Sequence, residues 1–155
     1  MKKLSYLFSL MILVSFLGFI SCGGDDDPQQ TTEEQQIDNL VGTWATTEDA
    51  DVLLDGTNAP GDWSNFTIRF TQQKGVSVSG APTSEVDIFA LSNYQPTGSN
   101  TTNFTLQFNG DPNETANVNI SGSNMVMTFT LQEGDKLGAR VLSVAGDWTF
   151  NLVKQ

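Results

Sequence analysis

Histidine is missing from all 155 residues, and cysteine occurs once, at Cys22. The first absence excludes Ser-His-Asp and Cys-His catalysis and removes the commonest metal ligand. The second excludes an intramolecular disulfide. Basic residues are scarce: 7 Lys and Arg stand against 18 Asp and Glu, a net charge of −11 at pH 7. Such a chain lacks the basic patches that nucleic acid or an anionic membrane surface requires. Helical periodicity is nearly absent too. Only Glu85–Leu91 approaches it, and this stretch reads as a short helix or, by preference, a strand.

These absences leave carboxylates as the remaining route to catalysis. A pair of them runs glycoside hydrolysis, and Asp49, Asp51, Asp55, Asp62, Glu85 and Asp87 are available. They fall mostly in predicted loops, and nothing in their spacing sets two across a cleft. The run Asp49-Ala50-Asp51 followed by Asp55-Gly56-Thr57-Asn58 is acidic enough to suggest calcium, but its spacing fails the Asp-x-[Asp/Asn]-x-[Asp/Asn]-Gly loop. No enzyme, cofactor or metal is expected.

The N-terminus is the most organised stretch. Lys2 and Lys3 precede an uncharged, largely apolar segment from Leu4 to Ile20, and Ser21 stands before Cys22. A positive start, an apolar run and a small residue describe a secretory signal. The rival is a retained membrane anchor, for which 17 residues diluted by Ser5, Tyr6, Ser9 and Ser15 are short. Phe19-Ile20-Ser21-Cys22 resembles the processing site of a bacterial lipoprotein. That resemblance implies removal of residues 1–21 and acylation of Cys22, which would anchor the protein to a membrane of the cell envelope. Gly23-Gly24-Asp25-Asp26-Asp27 resembles the surface-export signal of Bacteroidetes-type outer-membrane lipoproteins; an ordinary acidic tether is the alternative.

Removing Lys2 and Lys3 leaves 5 basic residues against 18 acids, a net charge of −13. Five of those acids (Asp25, Asp26, Asp27, Glu33 and Glu34) lie in a stretch reading as a disordered tether, 22–36, because it holds almost nothing apolar. From Ile37 to Gln155 apolar residues return, about 120 residues and enough for one domain with its own core.

Period-2 alternation dominates this domain. Phe66, Ile68 and Phe70; Val76 and Val78; Phe104, Leu106 and Phe108; Ala116, Val118 and Ile120; Met125, Met127, Phe129 and Leu131; and Trp148, Phe150 and Leu152 each alternate with residues of the opposite face. Turn residues separate the runs at Lys74-Gly75, Gly110-Asp111-Pro112-Asn113 and Gly122-Ser123-Asn124. One buried face and one solvated face per strand mean antiparallel pairing. The fold class is all-β, an up-and-down barrel or, alternatively, a β-sandwich. Eight strands require the weak runs Val52–Leu54 and Val86–Leu91 to be real. The Asn-x-Thr/Ser sequences at Asn65, Asn103, Asn113 and Asn119 match glycosylation acceptors in form but read as Asn/Thr-rich strand faces.

The two ends of the domain favour the barrel. Gly42-Thr43-Trp44 resembles the Gly-x-Trp entry of lipocalin-like barrels, and Gly146-Asp147-Trp148-Thr149-Phe150 opens the last strand. The whole is similar to small lipocalin-like or β-sandwich envelope lipoproteins of Bacteroidetes type. The resemblance implies that Gly42, Trp44 and Trp148 close the barrel floor and that a basic residue, with Arg140 as candidate, packs across the Trp44 ring. It further implies a small apolar or amphipathic ligand, or a partner protein, bound through the open end. The alternative is a carbohydrate-binding accessory lipoprotein of the outer membrane. Trp63, in the loop Ala59-Pro60-Gly61-Asp62-Trp63, and Tyr94 are the ligand-stacking candidates; capping the core is the other reading of both.

Overall fold

A computed structural model describes residues 29–82, 91–132 and 145–155. Cys22, Arg140, Glu85, Asp87 and all of Glu85–Leu91 except Leu91 lie outside the described residues.

The described chain begins with a helix, α1 (Thr32–Leu40), where the composition predicts tether as far as residue 36. Local chemistry starts it. Thr31 is the N-cap: its side-chain oxygen accepts from the Glu34 N–H at 3.2 Å, and its own N–H donates to Glu34 Oε2 at 2.7 Å. This reciprocal capping box satisfies two donors that a helix start leaves without partners. Glu33 and Glu34 in the first turn also suit the positive end of the helix dipole. Composition misleads here because the helix docks through few residues: Gln36, Ile37 and Leu40 are the ones it buries.

Ten short strands follow: β1 (Gly42–Ala45), β2 (Val52–Leu54), β3 (Thr57–Asn58), β4 (Thr67–Phe70), β5 (Val76–Ser79), β6 (Tyr94–Thr97), β7 (Asn103–Phe108), β8 (Thr115–Ser121), β9 (Asn124–Leu131) and β10 (Gly146–Lys154). All pairings are antiparallel, and one path runs β5-β4-β1-β10-β9-β8-β7-β6. The path nearly closes on itself. Gly75 and Asn93 form a bridge between its ends, the Val76 N–H donates to Ser92 O at 3.1 Å, and the Tyr94 N–H donates to Lys74 O at 2.8 Å. The result is a nearly closed, eight-stranded, up-and-down barrel. The sandwich alternative falls because this continuous pairing leaves no two separate sheets.

Strand β10 holds the barrel together across its length. Its C-terminal end pairs with β1 (Trp44 with Lys154), and the same edge nearer its start pairs with β2 (Phe150 with Val52, Trp148 with Leu54). Between them the chain steps through a single 3-10 turn, Asp49–Asp51. Val52–Leu54 is thus a real strand, attached as the hairpin β2–β3.

Alternation fills the interior. Trp44, Trp63, Trp148, Tyr94, Phe66, Phe70, Phe108, Phe150, Leu40, Ile68, Leu106 and Met125 are all fully buried in one core. Each such side chain contributes about 1.5–3 kcal/mol of burial. The helix sits at the end of the barrel where β1 begins and β10 finishes. There Gln36 Nε2 donates to Gly98 O and Asn100 O, and Asn39 Nδ2 donates to Thr101 O.

Candidate functional site

At the helix end, the Trp44 indole N–H donates to Leu40 O at 2.7 Å, tying the first strand to the helix before it. Lys154 Nζ stands 5.2 Å from the Trp44 ring centroid and donates to Asn39 O at 3.3 Å. The cation across this ring is therefore Lys154, whereas the sequence candidate, Arg140, lies outside the described residues. Lys154 shares the parity of Trp148, Phe150 and Leu152, and that register is the signal that identifies it. Gly42 permits the approach: a Cβ there would meet Lys154 Cε at 2.8 Å, and its φ of +135° disfavours any side chain. Gly42 and Trp44 thus lie together at the helix-covered end of the barrel, with Lys154 against both.

Trp148 lies elsewhere. It packs in the core against Phe129, nearly parallel at 6.3 Å, and Phe150 at 6.0 Å. Trp63 completes this group with edge-on contacts to Phe66 (5.6 Å), Trp148 (5.7 Å) and Phe150 (5.4 Å). Its indole N–H donates to Pro60 O at 3.0 Å, and its relative exposure is 0%. Tyr94 is 2% exposed, edge-on to Phe70 at 5.2 Å, and its hydroxyl donates to Thr71 O at 2.8 Å. Burial pushes its phenol up to about 12. Neither ring is displayed to solvent, so as stacking platforms for a sugar they are withdrawn: the loop turns Trp63 inward because its bulk completes the core.

The acids act as loop fasteners. Asp49 Oδ1 accepts from the Trp63 N–H at 2.7 Å. Asp51 Oδ2 accepts from the N–H and hydroxyl of Thr47 and from the Glu48 N–H. Burial pushes the Asp51 carboxyl up, but these donors together outweigh it and hold it below the ordinary carboxylate value. Asp55 Oδ1 accepts from the Asp147 N–H at 2.8 Å, and Asp62 Oδ1 accepts from Ser64. Among the described residues no three acids gather as metal ligands would.

The outer wall carries what the sequence reading did not single out. A groove of about 410 Å³ crosses the outer face of β8, β9 and β10, lined by Asn113, Thr115, Asn117, Thr128, Thr130, Asp147 and Thr149 over the backbone course of Phe129 and Trp148. Register builds it: Asn117 lies opposite Thr128, and Thr128 opposite Thr149. The β8–β9 ladder has its last paired residues at Asn117 and Thr128, whereas the β9–β10 ladder runs on to Leu131 and Gly146. The groove lies over this divergence. Two lining groups are oriented by neighbours, since Thr105 Oγ1 donates to Asn117 Oδ1 at 3.0 Å and Thr130 Oγ1 donates to Asp147 Oδ1 at 2.7 Å.

These features define a small, helix-capped antiparallel β-barrel whose described inward-facing side chains form one packed core, with a polar groove on its wall. No known protein family, curated protein or solved structure matches the chain. Among the described residues no helix is long and apolar enough to cross a membrane.

Proposed function

We propose that this chain is a lipid-anchored, non-catalytic protein of a bacterial cell envelope, exposed at an outer membrane, whose lipocalin-like barrel meets its ligand or partner on its outer surface. The anchor rests on Ser21-Cys22 at the end of the apolar run. One observation carries the outward-facing part of the reading: α1 docks on one end of the barrel, and the described side chains within are packed against one another. Residues 23–31 separate Cys22 from the helix and reach at most about 30 Å when extended. An acylated Cys22 would hold the helix end toward the membrane and turn the opposite end, and the wall, toward the surroundings. The packed core of the described residues favours external recognition over a deep cup for an apolar ligand. Acids committed to loop N–H groups and a sequence without histidine support a binding role rather than catalysis.

Intact-mass analysis of the mature protein from a bacterial host, with detergent-phase partition, tests this. The expected chain starts at Cys22, carries acyl mass and enters the detergent phase, while Cys22→Ser stays aqueous. A chain that keeps Met1, or one cut elsewhere and unmodified, would overturn the anchored reading.

A further inference from the structure

We infer that the groove on β8, β9 and β10 is a binding site for a neutral, polyhydroxylated ligand, an uncharged glycan. The inference rests on the reading of the barrel as an outward-facing binding module and is independent of the lipid anchor.

The lining chemistry decides the ligand class. Asp147 is the only ionisable side chain among the described lining residues, and no Lys or Arg is among them. An anionic ligand, such as a phosphate or a sulfated or uronic glycan, finds no partner there and meets a like charge. The rings of Phe129 and Trp148 belong to the core, at 5% and 1% exposure, so the groove offers a lipid no exposed ring and a lining that is more polar than apolar. What remains is a rank of hydroxyls and amides: Asn113, Thr115, Asn117, Thr128, Thr130 and Thr149. Such groups both donate and accept, as sugar hydroxyls do. An extended peptide adds to a free sheet edge, but β8, β9 and β10 each pair with strands on both sides, and the unpaired edge between β8 and β9 beyond Asn117 and Thr128 is only two or three residues long.

The groups are also held in place before a ligand arrives. Threonine is β-branched and stiff at χ1, and cross-strand pairing sets Asn117, Thr128 and Thr149 side by side. Thr105 and Asp147 orient two of the lining groups. Little side-chain freedom is lost on binding, which offsets a main cost of polar recognition.

The test uses the full chain purified in detergent, titrated calorimetrically with soluble neutral oligosaccharides derived from mannan, xylan, β-glucan and starch. Heparin and a Ser/Thr-rich peptide serve as comparators. The expected result is saturable binding of at least one neutral oligosaccharide. It should weaken roughly tenfold or more in Asn117→Ala and in the isosteric pair Thr128→Val/Thr149→Val. Ser77→Ala, on the outer face of β5 away from the groove, should bind like the parent chain. Thermal unfolding of each variant separates lost binding from lost fold, and the Val pair preserves shape and strand preference. Binding of no neutral oligosaccharide, binding unchanged in the groove variants, or binding of heparin or the peptide alone would each overturn the assignment. None of these outcomes bears on acylation of Cys22, which mass analysis reads separately.

Discussion

Lys154 lies directly opposite Trp44 across the β1–β10 pair, with its ammonium 5.2 Å from the ring centroid. The last strand thereby reaches back over the first, and the ammonium also donates to Asn39 O at the end of the helix. Lys154→Met removes the charge and keeps most of the stem. Chemical denaturation should show a loss of about 0.5–2 kcal/mol, the range of a cation–π contact. Trp44→Ala should cost about 3–5 kcal/mol, the range for deleting a large buried aromatic.

The helix is fastened by Lys74, whose ammonium pairs with Glu33 and donates to Gln95 Oε1 at 2.7 Å. The hydrogen bond from Lys74, then that from Gln95, holds the Glu33 carboxyl below its ordinary value against a smaller opposing effect of burial. A lowered folded-state pKa contributes stability that is present above the unfolded value of 4.5 and lost as pH falls through the folded one. Both side chains are partly exposed, so water screens the pair and its worth is at most roughly 1 kcal/mol. Glu33→Gln should therefore be slightly less stable than the parent at neutral pH and equal to it in strong acid. The neutral-pH difference should also shrink with added salt. A difference that persists unchanged into strong acid would contradict the assignment.

Thr31→Ala removes half of the capping box and should cost about 1 kcal/mol. Amide exchange across residues 32–40 is the sharper readout, because the loss falls first on the docking of α1. The barrel strands should keep their protection.

Tyr94 titrates in the opposite sense to Glu33. Its phenol is raised to about 12 by burial, so its contribution is complete below the unfolded value near 10 and is lost as pH rises through about 12. Absorbance titration of the chain from Cys22 onward, in which Tyr94 is the sole tyrosine, should find it ionising late. Tyr94→Phe, which leaves the partly buried Thr71 carbonyl without this donor, should destabilise by about 1 kcal/mol.

Gly80 and Gly122 both have positive φ, yet substitution should separate them. A Cβ at Gly80 (φ +73°) would sit 1.9 Å from the backbone oxygen of Asn65, whereas one at Gly122 (φ +60°) meets nothing within 4 Å. Gly122→Asn should cost roughly 1 kcal/mol or less. Gly80→Ala adds a backbone clash to the same strain and should lose about 2 kcal/mol or more, measured by thermal unfolding.

Much of this barrel was legible because alternation is a physical signature. Phe104, Leu106 and Phe108, or Met125, Met127 and Phe129, can bury one side only as half-exposed strands. The closure was less legible, since the Gly75–Asn93 bridge depends on two short stretches that carry no alternation of their own. The helix escaped a composition argument because its start is written in Thr31 and Glu34, two polar residues whose value lies in spacing. Trp63 sits off any strand period, so nothing local said that it points inward. The groove was harder still: Asn117 is read beside Thr149 only after β9 has been laid between them. A linear sequence records Asn/Thr-rich faces but not which faces adjoin.

The central claim is that the large aromatics fill the barrel rather than line a binding cup. The chain has 3 tryptophans, all of them at most 1% exposed. Acrylamide quenching of tryptophan emission tests this in one measurement. The expected result is a blue-shifted emission that acrylamide hardly quenches until denaturant is added, when both properties change together. A native protein with red-shifted, readily quenched emission would place at least one indole in contact with water and contradict the filled interior.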